Sequence, residues 1–205
     1  MAYAQGFDTS STVTQSLCDA AKEKGYEFII RYYTSNISGS KLIRQKEAEL
    51  IIDNGFTLVI VYQDNNKSAA DFNAALGRSA AEAAIKCAAN LGQPSSSVIY
   101  FAVDYDADPV AIQNNIIPYF QAIQDRFAQS IGCEVGVYGS GLVCSSLKEE
   151  LGLSYTWLSM SKGWAGYNDY NDATKYSLKQ VKGDLCRRTK LPFGWKTACN
   201  GRTGG

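Results

Sequence analysis

Short apolar runs alternate with helix-period segments seven or eight times along this chain, and that alternation is the tightest limit on how it can fold. The runs AYAQGFD, YEFIIRYYT, FTLVIVYQ, VIYFAVDYD, CEVGVYGSG, YTWLSM and YSLKQV read as strands, and residues 183–185 could begin a short eighth. Between them, helical periodicity covers residues 12–24, the stretch LIRQKEAELIIDNG, residues 68–91, residues 109–130 and the segment from Gly139-Ser140-Gly141 through Glu150. Pro118 falls inside the fourth of these, so a kink or break is expected there. Strands separated by helices with short turns build a parallel sheet. The count favours an α/β fold of the small, irregular (β/α)8 TIM-like barrel type over an open sheet. Such barrels typically run to about 250 residues, so in a chain of 205 the last helices should be short or missing. The chain is read as one domain, 1–205, with residues 186–205 an irregular tail.

The stretch VIYFAVDYDAD, residues 98–108, is the centre of the functional argument. A buried strand that ends abruptly in acids spaced two apart is a strand whose carboxyl end opens into a site. Strict alternation would place Tyr100, Ala102, Asp104 and Asp106 on one face. Two carboxylates side by side repel, so one should keep its proton to higher pH and could serve as a general acid beside an ionised neighbour. Asp108 precedes Pro109 and a helical pattern, and is read as a helix cap.

Composition removes several chemistries. The chain has no histidine, which excludes Ser-His-Asp and Cys-His catalysis and the usual zinc sites. Acid/base work must fall to carboxylates, tyrosines or lysines. Formal charge is zero, with 20 basic and 20 acidic residues, so no electrostatic grip on nucleic acid or on an anionic membrane is expected. No run approaches the roughly 20 apolar residues that span a bilayer, and MAYAQGFD does not read as a signal peptide. No cofactor or metal is called for. Of the six cysteines, Cys18, Cys87 and Cys144 lie in helical patterns and read as buried free thiols. Cys186 and Cys199 flank the tail and are the candidate disulfide pair, which would point to an oxidising compartment.

A barrel requires its site at the carboxyl ends of the strands. That rule gathers Asp8, Arg31, Gln63, Asp104, Asp106, Tyr138, Trp157, Gln180 and Asp184 around one mouth, with Arg31 as the partner that holds a carboxylate in place. Acids, amides and aromatics without a cation-binding cluster suit a neutral polyhydroxyl ligand: sugar rings stack on aromatic faces and their hydroxyls pair with amides and carboxylates.

In order along the chain, GFDTS, FIIRYY, IYFAVDYD, GVYGSG, TWLSM and the late Gln180 resemble the glycoside-hydrolase-like domain family of bacterial and fungal proteins, relatives of the family 25 lysozymes. The resemblance extends to about Asp184. It implies a small irregular barrel that acts on, or descends from enzymes acting on, the glycan strands of bacterial cell wall. In the lysozyme relatives the fourth strand ends in Asp-x-Glu, whose glutamate is the proton donor. By that match Asp104 is the aspartate, Asp106 stands where the glutamate would be, and Asp8 is the first-strand aspartate. Asp106 is one methylene shorter than glutamate, and misplacement on the order of 1 Å can cost ~100-fold in rate.

Three functions follow. The first is a muramidase-like glycosidase of peptidoglycan, with Asp8, Asp104 and Asp106 catalytic and Arg31, Gln63, Tyr138, Trp157, Gln180 and Asp184 holding the sugar. It would be secreted or delivered to the cell envelope or periplasm. The second is a barrel that binds glycan without cutting it. The third is phosphoryl transfer with a magnesium ion held by Asp104 and Asp106.

Overall fold

In a computed structural model, residues 4–130 and 132–183 are described in full, and Leu185–Arg188 by backbone alone. Asp184 and the Cys186–Cys199 pairing lie outside the described residues.

Each apolar run forms a strand: β1 (Ala4–Asp8), β2 (Phe28–Tyr33), β3 (Thr57–Tyr62), β4 (Val98–Ala102), β5 (Glu134–Gly139), β6 (Tyr155–Leu158), β7 (Leu178–Lys182) and β8 (Leu185–Arg188). They close into a barrel in chain order. Strands β1 to β7 pair in parallel, whereas β8 runs antiparallel to both β7 and β1. The final strand therefore departs from a regular (β/α)8 repeat. Its direction follows from length: only residues 183 and 184 separate β7 from β8, enough for a hairpin, whereas a parallel return takes a dozen or more.

The helices are α1 (Gln15–Glu23), α2 (Gln45–Asp53), α3 (Ala74–Leu91), α4 (Pro109–Ala111), α5 (Ile117–Ala128), α6 (Gly141–Leu151) and α7 (Tyr167–Asp172). Caps set several starts: Thr14, Asn73, Asp108 and Ser140 each accept a backbone N–H of the first turn, from Leu17, Leu76, Ala111 and Val143. The expected break near Pro118 is a π-helical turn, Ile112–Ile116, joining α4 to α5. Proline supplies no N–H and its ring crowds the preceding turn, and the widened turn absorbs both. The last helix, α7, has six residues, in keeping with a short chain. At Gly77 the backbones of α3 and α5 nearly touch, since a Cβ there would lie 2.2 Å from the Tyr119 carbonyl oxygen.

Alternation along the strands divides the apolar side chains between two cores. Ile29, Tyr33, Leu58, Ile60, Ile99, Phe101 and Val137 face outward into the helix layer. Phe28, Ile30, Val59, Val61, Val98, Tyr100, Ala102, Trp157 and Leu178 fill the barrel. Cys18, Cys133 and Cys144 are buried free thiols, and Cys87 is a partly exposed one.

Candidate active site

The residues one step above the inner core line a cavity of ≈160 Å³ at the carboxyl ends of the strands. The alternation explains each: Tyr32 follows Ile30, Gln63 follows Val61, Asp104 follows Ala102 and Gln180 follows Leu178 on the inward face, while Asp8 lies level with Ile30. Tyr138 and Trp157 complete the lining.

Two carboxylates share this cavity, and a glutamine clamps each of them. Gln63 Nε2 donates to Asp104 Oδ2 at 3.1 Å, and Lys41 Nζ donates to Gln63 Oε1 at 3.2 Å. Across the mouth, Gln180 Nε2 donates to Asp8 Oδ1 at 3.4 Å, with Gln180 Oε1 3.1 Å from the Tyr138 hydroxyl. Engaging the carbonyl end of each amide from behind leaves its N–H end for the acid, which fixes the orientation of both amides. Asp8 also accepts from the Tyr32 hydroxyl at 2.7 Å. The Tyr138 hydroxyl lies 3.2 Å from Ser159 Oγ.

The two acids differ in surroundings. Burial pushes the Asp104 carboxyl above the ordinary aspartate value, against the opposing pull of the Gln63 donor and of the Lys67 and Lys41 ammoniums. The sequence anticipated a raised acid here but attributed it to a neighbouring carboxylate; desolvation is the cause. Its backbone N–H donates to the carbonyl of Asn66, a buried residue in the left-handed region at φ 56°. That contact ties the end of β4 to the loop after β3.

Of the anticipated site residues, Asp8, Gln63, Asp104, Tyr138, Trp157 and Gln180 meet at the cavity. Trp157 is only 2% exposed and packs edge-on against Tyr138, with ring centres 4.8 Å apart, so it forms the floor. Its Nε1–H is buried without a hydrogen-bond partner among the described residues. Asp106 does not line the cavity. β4 ends at Ala102, so the alternation that would have aligned Asp106 with Asp104 has lapsed; it is exposed and accepts from the Ala165 N–H at 2.8 Å. Asp108 caps α4. The three acids thus point to three places, and among the described residues no group of three or more metal-binding side chains gathers.

Arg31 also lies elsewhere, and its expected place at the mouth is corrected. Sitting between inward Ile30 and Tyr32, it faces outward and is fully buried against Glu47, with Nε 2.5 Å from Oε1. It does hold a carboxylate, but that of Glu47 in α2. Its remaining donors reach the Thr9 and Ser40 carbonyls, and Glu47 accepts from the Val13 N–H. The pair therefore fastens the loops that follow β1 and β2. Tyr32 is a site residue that reading from the sequence overlooked, although the alternation marks it. Lys41 lies in a loop with no periodicity to reveal it.

A family model for the Rv2525c-like, glycoside hydrolase-like domain matches residues 19–193. The chain belongs to this family. Among relatives of this Rv2525c-like domain, the uncharacterized protein YbfG of Bacillus subtilis is 32% identical over 189 residues, which are 86% of this chain. The match spans 26% of YbfG, so this chain corresponds to about a quarter of that protein's length. The fold is similar to that of the Tat-secreted protein Rv2525c of Mycobacterium tuberculosis, solved in complex with HEPES, at TM-score 0.74 and 22% identity over 94% of this chain and 97% of that one. It is also similar to a muramidase from Trichobolus zukalii, at TM-score 0.61 and 13% identity over 92% and 94%. The Rv2525c-like domain thus has a glycoside hydrolase-like fold whose structural neighbours include muramidases.

Proposed function

We propose that this barrel hydrolyses a cell-wall glycan of the peptidoglycan type, with Asp104 as proton donor and Asp8 as the ionised partner. The observation that carries the reading is that both acids face one cavity in unlike surroundings. Burial favours the protonated form of Asp104, while Asp8 accepts from Tyr32 and Gln180, as a carboxylate does when ionised. Asp104 would pass its proton to the glycosidic oxygen as the bond to the anomeric carbon breaks. Asp8 would stabilise the positive charge on that carbon or direct its capture, and water would supply the new hydroxyl and return a proton to the acid. Gln63, Gln180, Tyr32 and Tyr138 would hold the ring hydroxyls. The Tat-secreted structural neighbour supports an extracytoplasmic place of action.

A second reading, binding without cleavage, is favoured by one observation: Asp106, at the position of the lysozyme glutamate, lies outside the cavity. Reducing-end release from purified peptidoglycan separates the two. Hydrolysis predicts product whose rate falls as pH rises through the raised value of Asp104, and a loss of about 100-fold or more in Asp104→Asn and in Asp8→Asn. Asp106→Asn should stay within the wild-type order of magnitude. Saturable binding with no product at any pH would establish the second reading, and loss of activity in Asp106→Asn alone would move the proton donor there.

A further inference from the structure

The ≈160 Å³ mouth is smaller than ordinary small-molecule sites, which run to roughly 300–1,000 Å³. A ligand larger than a single small group extends beyond it. A second cavity of ≈360 Å³ lies beside it, formed by the loop after β2 and by Asp64 and Asn65 after β3. Lys41 joins the two. It lines the second cavity, its Nζ lies 5.0 Å from the centre of the Tyr32 ring, and it donates to Gln63; Tyr32 and Gln63 both line the mouth.

Lys41 is a partly buried ammonium with one of its three donors spent on Gln63 and, among the described residues, no carboxylate within ion-pair distance. Burial lowers its pKa, with Asp64 and Asp104 resisting. The acid in the same cavity, Asp64, is held by donors other than Lys41. Its oxygens accept from Thr34 Oγ1 at 2.6 Å, the Ser35 N–H at 2.8 Å and the Tyr62 hydroxyl at 2.5 Å. Burial alone would raise Asp64, but these donors outweigh it and hold the carboxyl below the ordinary value. The loop bearing Lys41 is anchored from below, where Arg31 Nη2 donates to the Ser40 carbonyl at 2.9 Å. A partly desolvated cation with spare donors and no carboxylate in direct contact gains from an anion brought by the ligand.

We propose that the second cavity is a subsite for a carboxylate-bearing substituent of the glycan in the mouth, and that Lys41 is the residue that selects it. This rests on the glycan reading above and adds the charge of the preferred substrate. Because the whole chain is electrically balanced, the preference is local to this cavity rather than a long-range attraction.

The test is calorimetric titration of the full chain with a disaccharide containing N-acetylmuramic acid, and with the same disaccharide methyl-esterified at its lactyl carboxyl. Wild type should bind the acid about tenfold or more tightly than the ester, the value of a hydrogen bond to a charged group. Lys41→Gln, which keeps a donor for Gln63, should bring the acid-to-ester ratio close to one, and Lys41→Arg should restore most of it. Equal binding of acid and ester by wild type, or a ratio that Lys41→Gln leaves intact, would overturn this inference and leave the glycan reading standing. Failure of wild type to bind either compound would remove the glycan reading and this one with it.

Discussion

Replacing Arg31 by Met tests the energetic basis of the mouth. In wild type the side chains of Arg31 and Glu47 are 0% and 4% exposed, and two guanidinium nitrogens contact the two carboxylate oxygens at 2.5 and 3.3 Å. Removing the guanidinium leaves the Glu47 charge buried with the Val13 N–H as its remaining donor among those described, and deprives the Thr9 and Ser40 carbonyls of theirs. An orphaned buried charge costs about 3–5 kcal/mol. That is a large fraction of the roughly 5–15 kcal/mol by which domains are stable, and at about 2–4 °C per kcal/mol for a chain of this size it lowers Tm by about 6–20 °C. Urea unfolding at pH 7 gives the number directly. Arg31→Met with Glu47→Leu should recover most of the loss, because charge and counter-charge leave together. A cost below about 1 kcal/mol for the single variant, beneath the range for a broken buried pair, would refute the idea that this pair fastens the loops after β1 and β2.

Asp104→Asn should be more stable than wild type at neutral pH. A carboxyl whose pKa is raised on folding binds its proton more tightly when folded, so wild-type stability falls as pH rises from the unfolded value through the folded one. The gap should close below the ordinary aspartate range, and urea midpoints across pH 3 to 8 would show it; a gap independent of pH would refute the assignment. Gly77→Ala should destabilise by about 1–3 kcal/mol despite alanine's better helix propensity, because the new methyl meets the Tyr119 backbone rather than a movable side chain. A thermal midpoint at or above wild type would show that α3 and α5 can separate freely.

The barrel was legible because its signal is repeated: each strand is a short apolar run closed by polar residues, and one parity rule assigns its faces. The strand-end rule gathered Asp8, Gln63, Asp104, Tyr138 and Gln180, which line one cavity, and parity contained the correction for Arg31, whose neighbours Ile30 and Tyr32 both point inward. Asp106 was misaligned because alternation holds only while the backbone stays extended, and β4 stops at Ala102. The sequence does not mark that stop, since Val103 and Tyr105 continue the strand-like pattern. The direction of β8 depended on the length of a link rather than on the residues within the strand. Lys41 gave no signal at all: it sits in the loop between β2 and α2, outside any periodic segment.

The reversed final strand sets how the ring closes. Six staves of the ring pass into helix-bearing connections above the opening, but β7 returns at once through residues 183 and 184. Among the described strands the shortest link is therefore the one from β7 to β8. The ring is thus sealed by a two-residue hairpin link, whereas each successive pair of strands from β1 to β7 is joined through at least one helix.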